Sequence, residues 1–481
     1  MNIRFILYIL GALMIVEGFL MLFPTVVAMI YGEPDMKSFL FSSLITGGTG
    51  GIFRYLFRET SKEITKREGH IIVCLVWIVF GFFGSLPFLF GGQAVSLADA
   101  FFETISGLTT TGCSVMPDVE SLTHGLLFWR ALMHFMGGVG ILMLVIAVLP
   151  IFGVGSMTIY QVETSQASIS RLSPRIKDTA GFIFRIYLFL TFSCLLAYLP
   201  EMNFFDAVCH AFSTTASGGF STRNAGMGAF SAYSQYISVI FMLLAGTNFV
   251  LMHYVRKGDF KKATQSDEFR FYLLMVLSVS LFVATGLLLS ESFGVERAFR
   301  EGLFHVVSIC STTGYTVSDY TLWFPPLWFV ITLTALVGGC AGSTAGGLKM
   351  VRIILLLRMI PVQFKRIMHH RGMILVKLNR QNVPEEQMFR TLSFLMIFLC
   401  VFILGVFVLM ICGLDVTTAF GATVACLTNC GQGLGEVGPS GNFSGIPVAG
   451  KWVCSFLMLL GRLELYAVLI IFSRDFWNRQ G

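Results

Sequence analysis

The chain has 481 residues, of which 55% are hydrophobic and only 12% are charged. Soluble proteins carry about 25% charged residues, so this composition indicates a polytopic membrane protein. The net charge of +6 is modest and no basic run alternates with aromatic residues, so we expect no nucleic-acid partner. The eleven cysteines lie mostly inside apolar segments, and we interpret them as small hydrophobic residues rather than disulfides or metal ligands.

The apolar stretches predict an all-α membrane protein with ten spanning segments, since a helix of about 20 apolar residues crosses a bilayer. The first stretch is not followed by a small-residue cleavage site, so it predicts a retained helix rather than a signal peptide. The ten predicted segments are 3–31, 36–57, 70–91, 126–150, 180–200, 232–255, 270–290, 324–358, 390–412 and 449–473.

Four shorter segments with polar residues lie between these stretches. They are too short to cross a bilayer and too apolar for plain loops, so they predict re-entrant half-helices, which membranes tolerate where they are buried in protein or line water. The segments are 97–116, 203–222, 296–318 and 414–435. Each contains a polar loop with a central glycine: loop one (109–114, Gly112), loop two (217–221, Gly219), loop three (311–316, Gly314) and loop four (428–433, Gly431).

The register of the four loops indicates an internal repeat. Glu103, His210, His305 and Ala422 each lie nine residues before the central glycine of their loop. The sequence therefore predicts a unit of helix, half-helix, loop and helix that occurs four times. One such loop alone is typical of an ordinary turn, but four in matched register favour a ring of cation-coordinating backbone carbonyls, because glycine reaches the left-handed conformations that such a ring needs.

The basic residues predict the orientation. With the N-terminus in the cytoplasm, the Lys and Arg clusters at 54–67, 171–177, 256–262, 365–380 and 474–479 fall inside. Both termini are then cytoplasmic, and all four loops face outside. The outer segments carry only Lys37, Arg223, Arg297, Arg300 and Lys451, with Arg130 near a boundary.

With these loops and their spacing, the chain resembles the potassium-translocating subunits of the bacterial Trk/Ktr/HKT superfamily, specifically the TrkH type. The resemblance covers essentially the whole chain, including an additional N-terminal helix pair. It implies potassium uptake across the bacterial inner membrane by four M1-P-M2 pseudo-repeats (helix, pore half-helix, filter loop, helix) around one central pore. The implied domains are an N-terminal two-helix segment at 1–68 and pore repeats at 69–155, 175–262, 268–360 (with a broken inner helix) and 386–481.

The resemblance implies that the four loops form a potassium selectivity filter. A serine at the first central position is associated with sodium permeation in this family, so Gly112 favours potassium. Loops two and four depart from the T-x-G pattern, which can loosen selectivity. The implied filter residues are Thr110, Thr111, Gly112, Cys113, Ser217, Gly218, Gly219, Phe220, Thr312, Thr313, Gly314, Tyr315, Asn429, Cys430, Gly431 and Gln432. Potassium is expected at Thr111, Gly112, Ser217, Thr313, Gly314 and Cys430.

The glycine-rich segment (residues 338–347) interrupts the eighth apolar stretch. Each glycine costs a helix about 1 kcal/mol relative to alanine, so a break is predicted; the alternative is a small-residue packing face of a continuous helix. The resemblance implies a gate below the filter, with Lys349 just beyond it. The implied gate residues are Gly338, Gly339, Gly342, Ser343, Thr344, Gly346, Gly347, Lys349 and Arg462.

Arg462 lies inside the last apolar stretch, with Glu464 nearby. An arginine at the bilayer centre costs about 2.5–3.5 kcal/mol, so it is expected to face the bundle interior. A structural ion pair with Glu464 is one interpretation. The resemblance favours a pore-side arginine that contacts the gate and repels cations.

The chain has no nucleotide-binding domain, so regulation needs a separate subunit. The resemblance implies a peripheral cytoplasmic TrkA-type partner that binds NAD or ATP, and a homodimeric transporter. The basic loops 256–270 and 358–380 are candidate docking surfaces, although the same charge suits anionic lipid. We interpret residues 369–371 (His-His-Arg) as a solvated or partner-docking surface rather than a metal site.

Three other functions compete with a potassium pathway. A sodium or mixed sodium/potassium pathway, with or without ion coupling, keeps the fold. A coupled secondary transporter would show inverted repeats and acidic midplane residues, which four same-direction repeats disfavour. A membrane enzyme needs converging His, Asp and Glu residues, and the sequence contains no nucleotide-binding or hydrolase motif in a suitable context, so we expect no enzyme.

Overall fold

The computed structural model describes residues 2–58, 65–94, 96–138, 176–290, 293–369 and 375–478. Within them the chain is mostly helical, with a single two-stranded hairpin, β1 (Lys377–Leu378) and β2 (Gln381–Asn382). Several sequence predictions fall outside the described residues. They are Lys62, the end of the fourth apolar stretch (139–150), the end of the first predicted repeat (to 155), Arg171, Arg175, His370, Arg371 and Arg479.

Three helices form the N-terminal segment; the first two are separated only at Met21 and together make one apolar span, so the two predicted helices correspond to this span and the third helix. The three helices are α1 (Ile3–Leu20), α2 (Leu22–Tyr31) and α3 (Met36–Leu56). α1 packs closely on α3 because Gly11 and Gly50 let the two backbones meet: a Cβ atom on either glycine would lie less than 3.0 Å from a backbone oxygen of the other helix. Small residues serve the same purpose in other membrane-helix pairs.

The remaining helices alternate between long and short. Up to residue 256 they are α4 (Lys66–Gly84), α5 (Leu86–Phe90), α6 (Leu97–Leu108), α7 (His124–Gly138), α8 (Ile176–Tyr198), α9 (Phe204–Ala216), α10 (Ala232–Ala245) and α11 (Phe249–Arg256). Beyond it they are α12 (Phe260–Gln265), α13 (Asp267–Ser290), α14 (Val295–Cys310), α15 (Pro325–Val337), α16 (Met350–Met368), α17 (Glu385–Ile411), α18 (Val416–Leu427), α19 (Val448–Arg462), α20 (Leu465–Leu469) and α21 (Arg474–Trp477).

The prediction of ten spanning segments is not met within the described residues. By length and composition, five helices can cross a membrane, or up to seven if each of two bent pairs counts as one span. α10 and α11 meet at 99°, and α19 meets the helix after it at 114°. α3 is long enough but is rich in Ser, Thr and Gly, and the stretch 324–358 is divided into α15 and α16. The five spans are Ile3–Tyr31, Arg67–Phe90, Gly181–Tyr198, Asp267–Ser290 and Glu385–Ile411.

The break between α10 and α11 has a physical cause. The carbonyl groups at the end of α10 accept hydrogen bonds from the glycine-rich segment instead of from the next helical turn. The Gly246 carbonyl accepts the amide of Cys340 at 2.9 Å, and the Ala245 carbonyl accepts that of Thr344 at 3.3 Å. Asn248 then begins α11, because its side chain accepts the Val250 amide at 2.8 Å.

Four short buried helices, α6, α9, α14 and α18, coincide with the four predicted half-helices. Three begin with a side-chain cap, from Ser96, Asn203 and Asp415. Each packs between the helices before and after it in the chain, and the later of these also contacts the next short helix. The pairs α7–α9, α10–α14, α15–α18 and α19–α6 close a circle of contacts.

Candidate functional site

Each short helix ends in the same backbone geometry. Thr110, Ser217, Thr312 and Asn429 are left-handed, with φ of 54°, 56°, 53° and 53°. Left-handed backbone is uncommon for residues other than glycine, so its presence in all four loops indicates a shared structural constraint. The glycine two positions later is also left-handed in every loop, with φ of 84° at Gly112, 86° at Gly219, 77° at Gly314 and 80° at Gly431.

The four central glycines lie against one another's loops in cyclic order. At each of them a Cβ atom would collide with the carbonyl oxygen of the residue that precedes the central glycine of the next loop. The next loop's backbone therefore comes as close as a glycine allows. The contacts are Gly112 with the Gly218 oxygen, Gly219 with Thr313, Gly314 with Cys430, and Gly431 with Thr111, which closes the circle.

Side chains fix the residue before the central glycine in three loops. In loop one the hydroxyls of Thr109 and Thr111 are 2.7 Å apart, and in loop three those of Ser311 and Thr313 are 2.8 Å apart. In loop four the Cys430 thiol lies 3.7 Å from a carbonyl of α14. The corresponding residue of loop two is a glycine and has no side chain.

Loop four departs from the others at Asn429 but is tied firmly to its neighbours. The Asn429 side-chain amide donates to the Thr111 hydroxyl and to the Met458 carbonyl, both at 2.9 Å. The Gln432 amide donates to the Gly314 carbonyl at 2.7 Å. Loop four thus bonds to loop one on one side and to loop three on the other.

Three of the four residues nine positions before the central glycines bond to the backbone or side chains of residues that follow those glycines, a role that we did not predict. The Glu103 carboxylate accepts the amide of Val115 at 2.9 Å, and His210 lies 3.0 Å from the Ser221 hydroxyl. The third residue, His305, bonds to the Ser318 carbonyl at 3.0 Å. The fourth is an alanine, and there the backbone of loop four approaches the short helix directly at Gly421.

Two buried ion pairs behind loop one were also missed. Arg130 bonds to Glu103 at 2.8 Å, and Lys451 bonds to Asp99 at 2.6 Å. All four side chains are nearly inaccessible to solvent. The sequence could have indicated these pairs, because Arg130 and Lys451 lie within apolar stretches and basic residues there are rarely left unpaired.

Asn224 forms hydrogen bonds to two acidic residues of a neighbouring loop. Its side-chain amide donates to Asp118 at 2.7 Å, and its backbone amide donates to Glu120 at 3.1 Å. The first of these bonds lowers the pKa of the exposed Asp118 carboxyl, because it stabilises the charged form. These contacts connect the segments that follow loops one and two.

The glycine-rich segment is not helical, so its interpretation as a packing face of a continuous helix is wrong. It lies directly against three of the four loops. The Gly346 amide donates to the Thr312 hydroxyl at 2.6 Å, and the Gly347 amide to the Thr428 carbonyl at 3.0 Å. The Thr344 hydroxyl is 2.8 Å from that of Ser217.

Arg462 is the last residue of α19, so its predicted place inside a continuous helix is wrong. Its guanidinium donates to the Thr344 carbonyl at 2.9 Å and to the carbonyls of Gly137 and Gly138 in α7. The backbone turns sharply at Glu464, with φ of 57°. Glu464 forms an ion pair with Arg352 at 2.8 Å, so the pairing of Glu464 that the sequence suggested is corrected.

The glycine-rich segment also contacts the first turn of α13. Glu268 accepts the Ala341 amide at 2.7 Å, and Lys349 bonds to the Ala345 carbonyl. The preceding residue, Asp267, bonds to Asn379 in the hairpin turn. Its carboxylate accepts the Asn379 amide at 2.7 Å, and its own amide donates to the Asn379 side chain at 2.8 Å. The glycine-rich segment and the β-hairpin are therefore attached to adjacent residues.

Comparison with known proteins identifies the family. The family model described as "TrkH: Cation transport protein" matches residues 36–479. The chain belongs to the TrkH family. Its resemblance to TrkH-type proteins is thereby confirmed, and the family consists of transport proteins, which agrees with the prediction that the chain is no enzyme.

Relatives match over the full length of the chain. The Trk system potassium uptake protein TrkH of Halomonas elongata is 37% identical over 485 residues, covering 100% of both chains. The protein of the same name from Escherichia coli K12 is 36% identical, covering 99% of this chain and 100% of its own. The crystal structure of the potassium transporter TrkH from Vibrio parahaemolyticus matches with a TM-score of 0.89 and 35% identity, over 99% of this chain and 100% of that one.

Proposed function

We propose that this chain mediates potassium uptake across the bacterial cytoplasmic membrane through a selectivity filter built from its four loops. The observation that carries the proposal is the closed circle in which each central glycine meets the carbonyl that precedes the next one. A ring of backbone carbonyls replaces the hydration shell of a potassium ion. The names of the relatives, which are potassium uptake proteins, support potassium as the ion.

The proposed coordinating groups belong to the four loops. The ion is proposed to bind at Thr111, Gly112, Ser217, Thr313, Gly314 and Cys430, within the sixteen filter residues that the loops supply. Each short helix has its C-terminal end at its loop, so the negative ends of four helix dipoles favour a cation there. Potassium is the transported ion rather than a resident cofactor.

The proposed architecture is four M1-P-M2 repeats around one central pore. The circle of contacts among the short helices and their neighbours supports this arrangement. The repeats are placed at 69–155, 175–262, 268–360 and 386–481, after an N-terminal two-helix segment at 1–68. The bias of basic residues supports cytoplasmic termini and loops that face outside.

The glycine-rich segment is proposed as the gate, with Lys349 and Arg462. Its bonds to loops two, three and four support this role, because an ion that leaves the proposed filter would then meet this segment next. Arg462 adds a positive charge that raises the electrostatic barrier to a cation. Movement of the gate is needed before ions cross.

A cytoplasmic TrkA-type subunit that binds NAD or ATP is proposed to control the gate, on a homodimeric transporter. The proposed docking surfaces are the basic loops 256–270 and 358–380. A contact between the two loops supports this docking site, because Arg358 of the second loop bonds to Asp267 of the first at 2.7 Å. The residue after Asp267, Glu268, accepts a hydrogen bond from the glycine-rich segment. A partner bound there acts on the gate through two neighbouring side chains.

A sodium or mixed sodium/potassium pathway is the second candidate. Loops two and four favour it, because Gly218 and Asn429 stand where loops one and three carry threonine.

The experiment that separates the two ions is a reversal-potential measurement on the full chain in liposomes, under opposing potassium and sodium gradients. We expect the potential to follow the potassium gradient. A potential that follows sodium would favour the second candidate, and no ion-dependent potential or flux would contradict both. Repeating the measurement with an imposed proton gradient distinguishes passive from proton-coupled transport.

A further inference from the structure

His134 fills the space behind loop two that a side chain of the loop itself fills elsewhere. In loops one and three a threonine precedes the central glycine, and in loop four a cysteine does; in loop two it is Gly218. A Cβ atom on Gly218 would lie closer than 3.0 Å to three atoms of the His134 imidazole. The ring therefore occupies the volume into which a threonine at this position would project.

The imidazole is held rigidly in this place. It is completely buried, and its Nδ1 is 2.9 Å from the Ser213 hydroxyl. Ser213 also accepts the amide of Gly218 through its carbonyl, at 2.9 Å. One residue of α9 thus fixes both the imidazole and the glycine that lies against it.

His134 also supports the residue after the central glycine. Its ring stacks on Phe220, with centroids 4.2 Å apart and planes 17° apart. The guanidinium of Arg130, one helical turn earlier in α7, lies 4.0 Å from the centre of the same ring. The residues on both sides of Gly219 are therefore supported by α7 rather than by side chains of their own loop.

We propose that His134 is a specificity-determining residue of the filter, which positions the Gly218 carbonyl by acting as the missing side chain of loop two. The inference rests on the proposed filter function of the four loops. Selectivity for potassium over the smaller sodium ion depends on how firmly the carbonyls keep the positions that suit potassium. Without the imidazole, the Gly218 carbonyl can move toward a sodium ion.

The test is a double-substitution cycle on the full chain in liposomes, with the potassium-to-sodium permeability ratio from reversal potentials as the readout. We expect His134→Ala to lower the ratio about fivefold, which corresponds to about 1 kcal/mol of discrimination. Gly218→Thr alone drives its side chain into the imidazole and lowers the ratio or abolishes transport. The double variant His134→Ala/Gly218→Thr regains most of the wild-type ratio, because the threonine fills the vacated space.

Two controls and one alternative cycle make the result decisive. His253→Ala removes a histidine of α11, outside the four loops, and should leave the ratio unchanged. His134→Gln keeps most of the volume and a polar group for Ser213, so its ratio should stay near wild type. If His134→Ala does not fold, the same cycle is completed with His134→Gln and His134→Ser, and the ratio should follow the volume that remains.

The outcomes also separate this inference from the filter proposal. Independent losses that multiply in the double variant, or a ratio unchanged by His134→Ala, would overturn the role of His134. Gly112→Ser is run in parallel. If Gly112→Ser lowers the ratio while the cycle shows no coupling, only the inference about His134 is wrong. If this variant and the corresponding serine variants of Gly219, Gly314 and Gly431 all leave the ratio unchanged, the filter proposal is wrong as well. Stabilisation of the purified protein by potassium over sodium gives a second readout that does not require flux.

Discussion

The guanidinium of Arg462 donates a hydrogen bond to the carbonyl of Thr344, 2.9 Å away, and so joins the end of α19 to the glycine-rich segment. The two residues are 118 positions apart in the chain. The same guanidinium reaches carbonyls at the end of α7, so parts of the first, third and fourth proposed repeats meet at one charge. A charged donor shared in this way ties down the segment, and in the proposed gate its charge would also repel a passing cation.

Arg462→Ala is expected to raise unregulated potassium or rubidium flux. Charged hydrogen bonds are worth about 1.5–3 kcal/mol, so losing one shifts the gate toward its open form by roughly tenfold or more. Tracer uptake into liposomes without the regulatory partner measures the change. The matched control is Arg390→Ala, which removes an exposed pair with Glu386 and should have no effect. Unchanged flux from well-folded Arg462→Ala protein would count against a gating role.

Serine in place of a central glycine is expected to weaken the preference for potassium over sodium. All four positions have left-handed backbone and no room for a Cβ atom, so any side chain there displaces the adjacent carbonyl. The substitutions are Gly112→Ser, Gly219→Ser, Gly314→Ser and Gly431→Ser, compared by reversal potential. Gly258 is the control, since it is left-handed but has nothing within 4 Å of its missing side chain. The filter assignment fails if the four variants keep the wild-type permeability ratio.

Glu103→Gln is expected to destabilise the protein. Glu103 and Arg130 are almost fully buried, and removing one partner of such a pair leaves an uncompensated charge, at a cost of about 3–5 kcal/mol. Thermal unfolding in detergent measures the loss. Replacing both residues together, as Glu103→Gln/Arg130→Met, should cost less than the single change, and an equal or larger loss would contradict a buried charge pair as the source of stability.

Glu268→Ala is expected to raise basal flux and to weaken control by a bound partner, because it releases the Ala341 amide that anchors the glycine-rich segment. Glu268→Gln keeps an acceptor oxygen and should have the smaller effect. Flux with and without the partner measures both quantities. Glu386→Ala, which removes an exposed partner of Arg390 outside the proposed docking loops, is the control. If Glu268→Ala behaves as wild type in both conditions, the connection from hairpin to gate is wrong.

Local features of the sequence were sufficient for several predictions. Hydropathy indicated the membrane class, and the family comparisons support it. Glycine content predicted the break at residues 338–347, because backbone freedom is a property of the residue itself. The common nine-residue offset predicted four equivalent loops, and their φ angles agree within 9° at the central glycines and within 3° two residues earlier. Ten spans were predicted because hydropathy does not register a break within an apolar stretch.

The sequence by itself thus determined the membrane class, where the four loops lie and which glycines they centre on, since composition and spacing are local. Only the tertiary structure decided which loop meets which, that α10 breaks where its carbonyls bond to the glycine-rich segment, and that Arg462 ends α19 against Thr344. It also placed His134 behind Gly218. Such contacts join residues up to hundreds of positions apart, and they depend on how buried donors, acceptors and volumes are satisfied together, which no local pattern records.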